Sequence, residues 1–379
     1  MLWPFCPLDG MLEGMEFRTD ILQAYSDEQR IRLKDTPWRT FSHSYNWTHR
    51  QYEKARAMMR GQHPGAFSLP DWPMAHLVSV TAGASAIAFD NTLPTLEVGD
   101  SVAIIQTCEQ YQELVITGSD DFGITLQFPV TQTYTNARLV PLLEANAAEG
   151  LPASRSVQPI VGAQVEWRSY SGADIADAGT FTQYRGYPVQ AQAACIGDGQ
   201  MAESVLTPFD TVDNGLARPF FDTTRGQPRQ MLGAAWQPQG REESYNLRQW
   251  LYWLRGRQRA FWLPGWNRGI ELLATITNGG STVVIRNIGF SDGYGSGDLF
   301  IRTNAGQVYT LQVSESVADT DGLTETLTLA TPSPATITPA NVDQACLMFL
   351  VRLASDRIEF EHRSVVGPRV VVSCEEVPV

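Results

Sequence analysis

The chain has 379 residues, of which 43% are hydrophobic and 18% charged, and a formal net charge of −13 at pH 7. This composition predicts a globular protein that buries a core, and it excludes an intrinsically disordered chain. The negative charge argues against a nucleic-acid-binding protein, which needs clustered Lys and Arg to neutralise phosphates. The many aromatic residues, glycines and prolines favour a β-rich fold with frequent turns.

The cysteines are widely spaced and include no Cys-x-x-Cys pair; they are Cys6, Cys108, Cys195, Cys346 and Cys374. We interpret them as reduced cysteines of a protein made in a cytoplasm, rather than as a disulfide framework or a zinc site. The first residues lack a signal-peptide pattern, and no stretch of about 18 apolar residues predicts a membrane-spanning helix. Membrane insertion is therefore not expected.

The chain is predicted to begin with an irregular arm, residues 1–15, in which Trp3 and Phe5 are able to dock on a neighbour. Alternation of polar and apolar residues then predicts a strand at residues 28–33. A second, weaker strand pattern follows at residues 39–45.

A helix is predicted at about residues 49–60, because Thr48 with Gln51 three residues later fits a capping box. Gly61 is expected to end this helix, and residues 67–72 are expected to form a loop. Short apolar runs predict a β module and two strands that return to the first sheet. These runs are residues 77–80, 86–89, 102–105, 113–116, 124–128, 137–143 and 164–167.

Residues 169–205 carry weak signals and are predicted to be connecting loops before a second module at 206–379. Its helix is predicted at about residues 246–255, with Asn246 as the cap and an apolar stripe at helical spacing. Strands are predicted at residues 274–277, 283–287, 299–302, 309–313, 325–330, 346–353, 357–362 and 370–373. Strict alternation near the end predicts that Ile358 and Phe360 are buried.

An internal match relates the two modules. Phe, Leu, Pro and Trp recur in one order in two segments, as Phe67, Leu69, Pro70 and Trp72 and as Phe261, Leu263, Pro264 and Trp266. Three other pairs of segments match around them: 44–46 with 244–246, 85–91 with 281–287, and 100–111 with 298–309. A self-match in fixed order predicts two tandem repeats, each a β-sandwich or barrel flanked by one amphipathic helix. The expected fold class is mainly β with α (α+β).

No catalytic signature stands out. The five histidines lack the spacing of paired metal ligands, and no nucleophile elbow or Cys-His pattern occurs. The carboxylate pairs at residues 120–121 and 242–243 are best interpreted as turn or helix-entry charges, although spacing alone leaves a glycosidase open. We expect a protein that is not an enzyme and holds no cofactor and no metal.

The aromatic segments have two interpretations. Each could cap its own β module, or Arg255, Arg257, Arg259 and Trp262 could belong to a contact between subunits, where Arg and aromatic residues are enriched. The assembly and packing candidates are Phe67, Leu69, Pro70, Trp72, Trp250, Arg255, Arg257, Arg259, Phe261, Trp262, Leu263, Pro264 and Trp266.

The sequence resembles the distal-tail and baseplate proteins of long-tailed, siphophage-like bacteriophages and prophages. The residues that carry the resemblance are Arg18-Thr19-Asp20-Ile21, Glu28-Gln29-Arg30, the helix ending near Gly61 with its aromatic segment, the second helix exit at 254–261, and Ser355-Asp356-Arg357-Ile358. These motifs are short and structural, and they transfer no catalytic residue.

The resemblance implies two tail-tube-like repeats and a structural virion protein of the tail tip, made in the host cytoplasm. Such a protein would form a ring, either a trimer with pseudo-sixfold symmetry or a hexamer, through which DNA passes without specific binding. The implied partners are the tail tube protein, the baseplate hub protein and the tape measure protein. Two other classes stay open: a carbohydrate- or receptor-binding tail module with exposed Trp262 and Trp266, and a cell-wall hydrolase.

Overall fold

A computed structural model describes most of the chain, and it confirms a mainly β fold with some α, since strands form 51% and helices 12%. The described residues are 1–23, 28–93, 95–155, 159–169, 181–194, 201–207, 210–213, 215, 220–222, 228–363 and 367–377. Cys195 and much of the expected connecting segment lie outside these residues.

The described part of the N-terminal half (residues 1–169) contains one α-helix and thirteen strands. They are β1 (Met11–Glu16), β2 (Thr19–Gln23), β3 (Glu28–Arg32), β4 (Trp38–Thr48), α1 (His49–Gln62), β5 (Phe67–Pro70), β6 (His76–Val80), β7 (Ala86–Ala88), β8 (Ser101–Ile105), β9 (Tyr111–Asp120), β10 (Gly123–Leu126), β11 (Tyr134–Ala147), β12 (Ala153–Arg155) and β13 (Ile160–Ser169).

The C-terminal half (residues 181–377) begins with a small hairpin and then has a similar order of elements. They are β14 (Gln183–Tyr184), β15 (Tyr187–Pro188), β16 (Glu203–Leu206), β17 (Asp210–Val212), β18 (Phe220–Asp222), β19 (Arg229–Trp236), α2 (Gly240–Leu254), β20 (Phe261–Pro264), β21 (Thr282–Arg286), α3 (Phe290–Gly293), β22 (Gly297–Thr303), β23 (Val308–Ala318), β24 (Thr324–Leu329), β25 (Val342–Leu353), β26 (Arg357–Arg363) and β27 (Gly367–Glu376).

Helix α1 begins with the predicted capping box, because the Thr48 and Gln51 side chains each accept from the other residue's backbone N–H. Gly61 does not end it, which corrects the sequence prediction. The helix continues to Gln62, and His63 is extended. The residue before a proline is disfavoured in helical conformation, so Pro64 rather than Gly61 sets the helix end.

Helix α2 begins at Gly240, six residues before the predicted Asn246 cap. Glu242 and Glu243 lie in its first turn, where negative charge is favourable, and Glu243 accepts a hydrogen bond from the Gln239 backbone. The sequence stripe marked the buried face of α2 but not its polar first turns. Arg255 ends the helix in the left-handed region, with φ of 54°.

Three other sequence predictions are wrong. Residues 11–15, expected to be irregular, belong to β1, whose strand partners are distant in sequence. The segment at 67–72, expected to be a loop, contains β5, and β20 occupies the same part of the second aromatic segment. Residues 274–277 form only an isolated bridge between Ile276 and Ile337 instead of a strand. The burial of Ile358 and Phe360 is confirmed.

One antiparallel sheet joins the two halves. Its strand order is β12–β13–β4–β1–β26–β27–β19–β16, with four strands from each half. The joint is the pairing of β1 with β26, in which Glu13 lies opposite Phe360. We call this sheet the joining sheet; helices α1 and α2 pack against strands of its two halves.

Each half also has a β module with its own core. In the N-terminal half, β8 pairs with β11 and β9, and β10 pairs with β9 and β7. In the C-terminal half, β22 pairs with β25 and β23, and β24 pairs with β23 and β21. The strands of the two halves therefore pair in the same order.

Candidate functional site

The aromatic segments are part of the folded core. Phe67, Leu69 and Pro70 lie on β5, which pairs with β11, and all three are buried. Phe261, Trp262, Leu263 and Pro264 lie on β20, which pairs with β25, and they are buried as well. Each proline is the last residue of its strand.

The tryptophans of these segments are also buried, with exposed fractions of 1% for Trp262 and 7% for Trp72 and Trp266. Trp262 donates a hydrogen bond to the Tyr184 carbonyl at 2.9 Å. The expectation that exposed Trp262 and Trp266 stack on sugars is therefore wrong, because both rings already pack inside the chain. Trp250 on α2 packs edge-on against Phe261 at 5.4 Å, in the same core.

One predicted arginine joins the two halves. Arg257 donates to the Thr19 carbonyl at 2.7 Å and to Asp356 at 3.1 Å, while Asp356 also accepts from the Thr19 backbone. Arg259 lies over the Trp253 ring at 4.4 Å, and Arg255 is the helix end described above. These contacts lie within one chain, and the subunit contact expected for this arginine cluster stays a prediction.

The candidate functional site is the junction between the halves, and its centre is a buried carboxylate. Glu13 on β1 has no exposed surface. It accepts hydrogen bonds from Arg39 of its own half at 2.8 Å and from Arg248 of α2 at 2.7 Å. His362 on β26 lies 3.0 Å from the same carboxylate, and Asp71 accepts from Arg39 at 2.8 Å.

The charges of this cluster are balanced and shielded from water. Burial acts to raise the pKa of Glu13, but Arg248 and Arg39 hold this pKa well below its usual range. Glu13 and Asp71 offset the two guanidinium charges, so the pairing avoids the large cost of an unpaired buried ion. Because residues of both halves supply the pairing, the cluster couples the folding of one half to the position of the other.

A second group of buried charges lies at the same junction. Glu28 on β3 accepts two hydrogen bonds from Arg352 on β25, at 2.7 and 3.1 Å. Arg352 also donates to Glu375 at 3.1 Å, and Arg229 donates to Glu375 at 3.2 Å. The β2–β3 hairpin of the N-terminal half is thereby attached to the C-terminal half.

A third contact connects helix α2 to the N-terminal β module. Arg241, the second residue of α2, donates to the Ala75 carbonyl and lies 3.1 Å from the His76 ring. It also donates to the Leu93 carbonyl at 3.3 Å. Burial, together with Arg241, lowers the pKa of His76 to about 4, so this imidazole is neutral at pH 7.

His43 gives the junction a measurable pH dependence. It is buried on β4, and its Nδ1 lies 3.2 Å from the Tyr45 hydroxyl, which accepts a hydrogen bond from Trp3. Burial first, then the neighbouring His362, lowers the pKa of His43 to about 3, although Glu13 acts to raise it. Between pH 6.5 and this value the unfolded chain binds a proton that the folded chain does not, so stability falls on acidification.

We expect the free energy of unfolding to fall by about 2 kcal/mol more between pH 7 and pH 5 in the natural chain than in a His43→Gln variant. Urea denaturation at the two pH values measures this difference. His49→Gln, which changes an exposed histidine at the start of α1, is the control and should retain the natural pH dependence. Equal pH dependence in the natural chain and His43→Gln would contradict the assignment.

The arrangement links the two halves through buried ion pairs. The carboxylate of Glu13 is fully buried and is bound by Arg39 and Arg248. Within the described ranges, no group of three or more His, Cys, Asp or Glu residues could hold a metal ion. In the same part of the chain, no helix is long and apolar enough to cross a membrane.

The sequence pattern missed Glu13, Arg39, Arg248 and His362, because β1 was expected to be irregular. One signal was present. Met11-Leu12-Glu13-Gly14 on β1 resembles Met201-Ala202-Glu203-Ser204 at β16, with Met and Glu at equal spacing and a small residue after Glu. This similarity indicates that Glu13, like Glu203, lies in a strand.

Comparisons with known proteins add no family assignment: no protein-family model matches the chain, and no curated protein matches it.

Proposed function

We propose that this chain is a non-catalytic structural protein of a phage tail tip, in which copies close into a ring between the tail tube and the baseplate hub. The observation that carries the proposal is the joining sheet. The sheet of one half continues into the sheet of the other through the pairing of β1 with β26. Among the described strands, the outer strands of this sheet, β12 and β16, each pair on one side only.

The proposal requires the halves to be copies of one tail-tube-like unit, and local details support this. Thr117 is skipped by a bulge between β9 and β10, and its hydroxyl donates to the Thr125 carbonyl at 3.4 Å. Ser314 is skipped by a bulge between β23 and β24, and its hydroxyl donates to the Thr328 carbonyl at 3.1 Å. Bulges are designed features of a fold, so the same bulge with the same side-chain bond favours duplication over chance.

The start of each unit matches as well. Leu2 forms a parallel bridge with Ser68, the second residue of β5, and Val189 forms one with Trp262, the second residue of β20. The second copy then starts near Val189, earlier than the boundary at 206 predicted from the sequence. The β2–β3 hairpin follows β1 in the first half, and the β17–β18 hairpin follows β16 in the second half.

The ends of the joining sheet support assembly. Among the described strands, β12 pairs only with β13, and β16 pairs only with β19. Unpaired edges with exposed N–H and C=O groups are templates for another chain. Because β12 and β16 differ, the contact is heterologous, and such contacts produce a closed ring when the rotation between copies closes.

In this proposal, the face of the joining sheet opposite the helices lines the channel through which DNA passes. It is polar along β4 and β13, where Ser42 accepts from Gln164 at 2.8 Å. On β26, Arg357 pairs with Glu359 at 2.8 Å, which leaves no excess of positive charge there. DNA passing such a face would meet few free cations, consistent with transit without binding.

Native mass spectrometry of the purified protein, with particle images, tests the assembly. We expect rings of three chains with pseudo-sixfold symmetry, since three duplicated chains supply six equivalent units. Six chains with only one half in the ring would contradict the duplicated arrangement. A monomer that persists at high concentration would contradict the ring itself.

A further inference from the structure

The contact inside the chain specifies the contact between chains, if the proposed duplication holds. Glu13 on β1 pairs with Phe41, which pairs with Trp167 on β13. Glu203 on β16 pairs with Leu232, which pairs with Cys374 on β27. Trp167 and Cys374 face the last residues of β11 and β25, so Glu13 and Glu203 occupy equivalent positions.

The partners of the two glutamates support this equivalence. Arg39, which binds Glu13, and Gln230, which donates to Glu203, lie two residues before Phe41 and Leu232 on their strands. Glu203 thus has a partner, Gln230, at the position from which Arg39 binds Glu13. It lacks the contacts that Arg248 and His362 of the other half make with Glu13.

The opposite edge is aligned in the same way. On β26, Phe360 pairs with Val370, which pairs with Trp236 on β19. On β12, Ala153 pairs with Ala163, which pairs with Tyr45 on β4. The side chain two residues after Phe360 is His362, which contacts Glu13. The side chain two residues after Ala153 is Arg155.

We propose that β16 of one chain pairs antiparallel with β12 of a second copy, with Glu203 opposite Ala153 and its carboxylate bound by Arg155. This contact repeats the pairing of Glu13 with Phe360 and His362 inside the chain, and it rests on the proposed ring. The opposite charges of Glu203 and Arg155 fit this register.

Exposure of the two edges supports a partner at these positions. The Arg155 side chain is 52% exposed, and Val205 on β16 is 60% exposed. Arg50, the second residue of α1, is 87% exposed, whereas Arg241 at the same place in α2 makes the junction contacts. At the outer edges these arginines are exposed and make only exposed ion pairs, Arg155 with Glu53 at 3.6 Å and Arg50 with Glu109 at 3.4 Å. An edge partner could replace those pairs at little cost.

Cysteine cross-linking tests the register. In a Cys6→Ser background, Ser154→Cys with Ala202→Cys places two thiols directly opposite, and a short bis-maleimide should join neighbouring chains. Ser154→Cys with Leu206→Cys is the control, because it separates the thiols by four residues, about 13 Å along the strand. Cross-linked dimers and trimers are read on denaturing gels.

Charge exchange tests the ion pair. Glu203→Arg and Arg155→Glu alone should each raise the concentration needed for ring formation by about tenfold, because like charges then face each other. The double variant should restore assembly, since every contact again contains one charge of each sign. Thermal melts of the variants as monomers check that each chain remains folded.

The outcomes separate this inference from the proposed function. Cross-linking at 154 and 202 with restoration by the double variant supports both. Rings that cross-link only in the control pair, or that are not restored, would overturn this register and leave the ring proposal standing. Absence of any oligomer in the natural protein would overturn both.

Discussion

A Glu13→Gln substitution is expected to lower the free energy of unfolding by about 3–5 kcal/mol, because it leaves two buried guanidinium groups with one carboxylate. Arg39 and Arg248 have side chains only 5% and 4% exposed, so water cannot replace the lost charge. Equilibrium urea denaturation at pH 7 measures the change. The amide keeps the size of the side chain, so the loss reports charge rather than packing.

Glu203→Gln is the matched control for that substitution, because the proposed duplication aligns Glu203 with Glu13 and Glu203 is exposed. In monomeric protein it should change the free energy of unfolding by no more than about 0.5 kcal/mol. A Glu13→Gln variant as stable as this control would show that the cluster does not hold the halves together.

A Trp3→Ala substitution is expected to lower the free energy of unfolding by about 3–5 kcal/mol, as for other large core truncations. Trp3 is fully buried and donates a hydrogen bond to the Tyr45 hydroxyl at 3.0 Å. Its ring packs edge-on against Trp167 at 5.0 Å and Phe67 at 5.4 Å. The sequence prediction that Trp3 docks on a neighbouring molecule is wrong, because the ring completes the core of its own half.

Trp38→Ala is the control, since Trp38 is 45% exposed and lies under the Lys34 ammonium at 3.8 Å. Its loss should cost about 0.5 kcal/mol. Thermal unfolding at two protein concentrations distinguishes a role of Trp3 in the core from a role in a subunit contact. A Trp3→Ala defect that disappears on dilution would indicate a subunit contact, whereas an equal defect at both concentrations indicates the core.

Local patterns in the sequence predicted most strands and the α1 cap, because alternation and capping depend on neighbouring residues. They failed where the partner is distant in sequence. Residues 44–46 and 244–246 share Ser-Tyr-Asn, yet the first lies in β4 and the second in α2. Three shared letters were too few to establish equivalence.

In the proposed duplication, the match of residues 100–111 with 298–309 is displaced by one residue. Val102 pairs with Pro141, whose carbonyl accepts from Asp71, and Leu299 pairs with Leu347, whose carbonyl accepts from Gly265. The proposal thus aligns Val102 with Leu299 and not with Phe300. β8 and β22 are buried on both faces, so their apolar runs contain no alternation that would reveal the displacement.

The site itself was the least accessible to sequence reasoning. The aromatic candidates are part of the core, as their hydrophobicity alone would suggest, but the charged residues around Glu13 come from four separate elements. Glu13, Arg39, Arg248 and His362 are far apart in the chain and belong to no motif. The pairings of β1 with β26 and with β4, and the contact of Arg248 on α2 with Glu13, bring them together.

The difference between Arg39 and Gln230 has a mechanical consequence for a closed ring. Inside each chain, the contact between the halves is stabilised by the buried Glu13 carboxylate, which binds Arg39 and Arg248. The proposed contact between chains would depend on the ion pair of Glu203 with Arg155 and on the neutral amide of Gln230. Strong contacts within chains and weaker contacts between chains would then alternate around the ring. Such a ring assembles from preformed pairs of units and opens under load at three places instead of six.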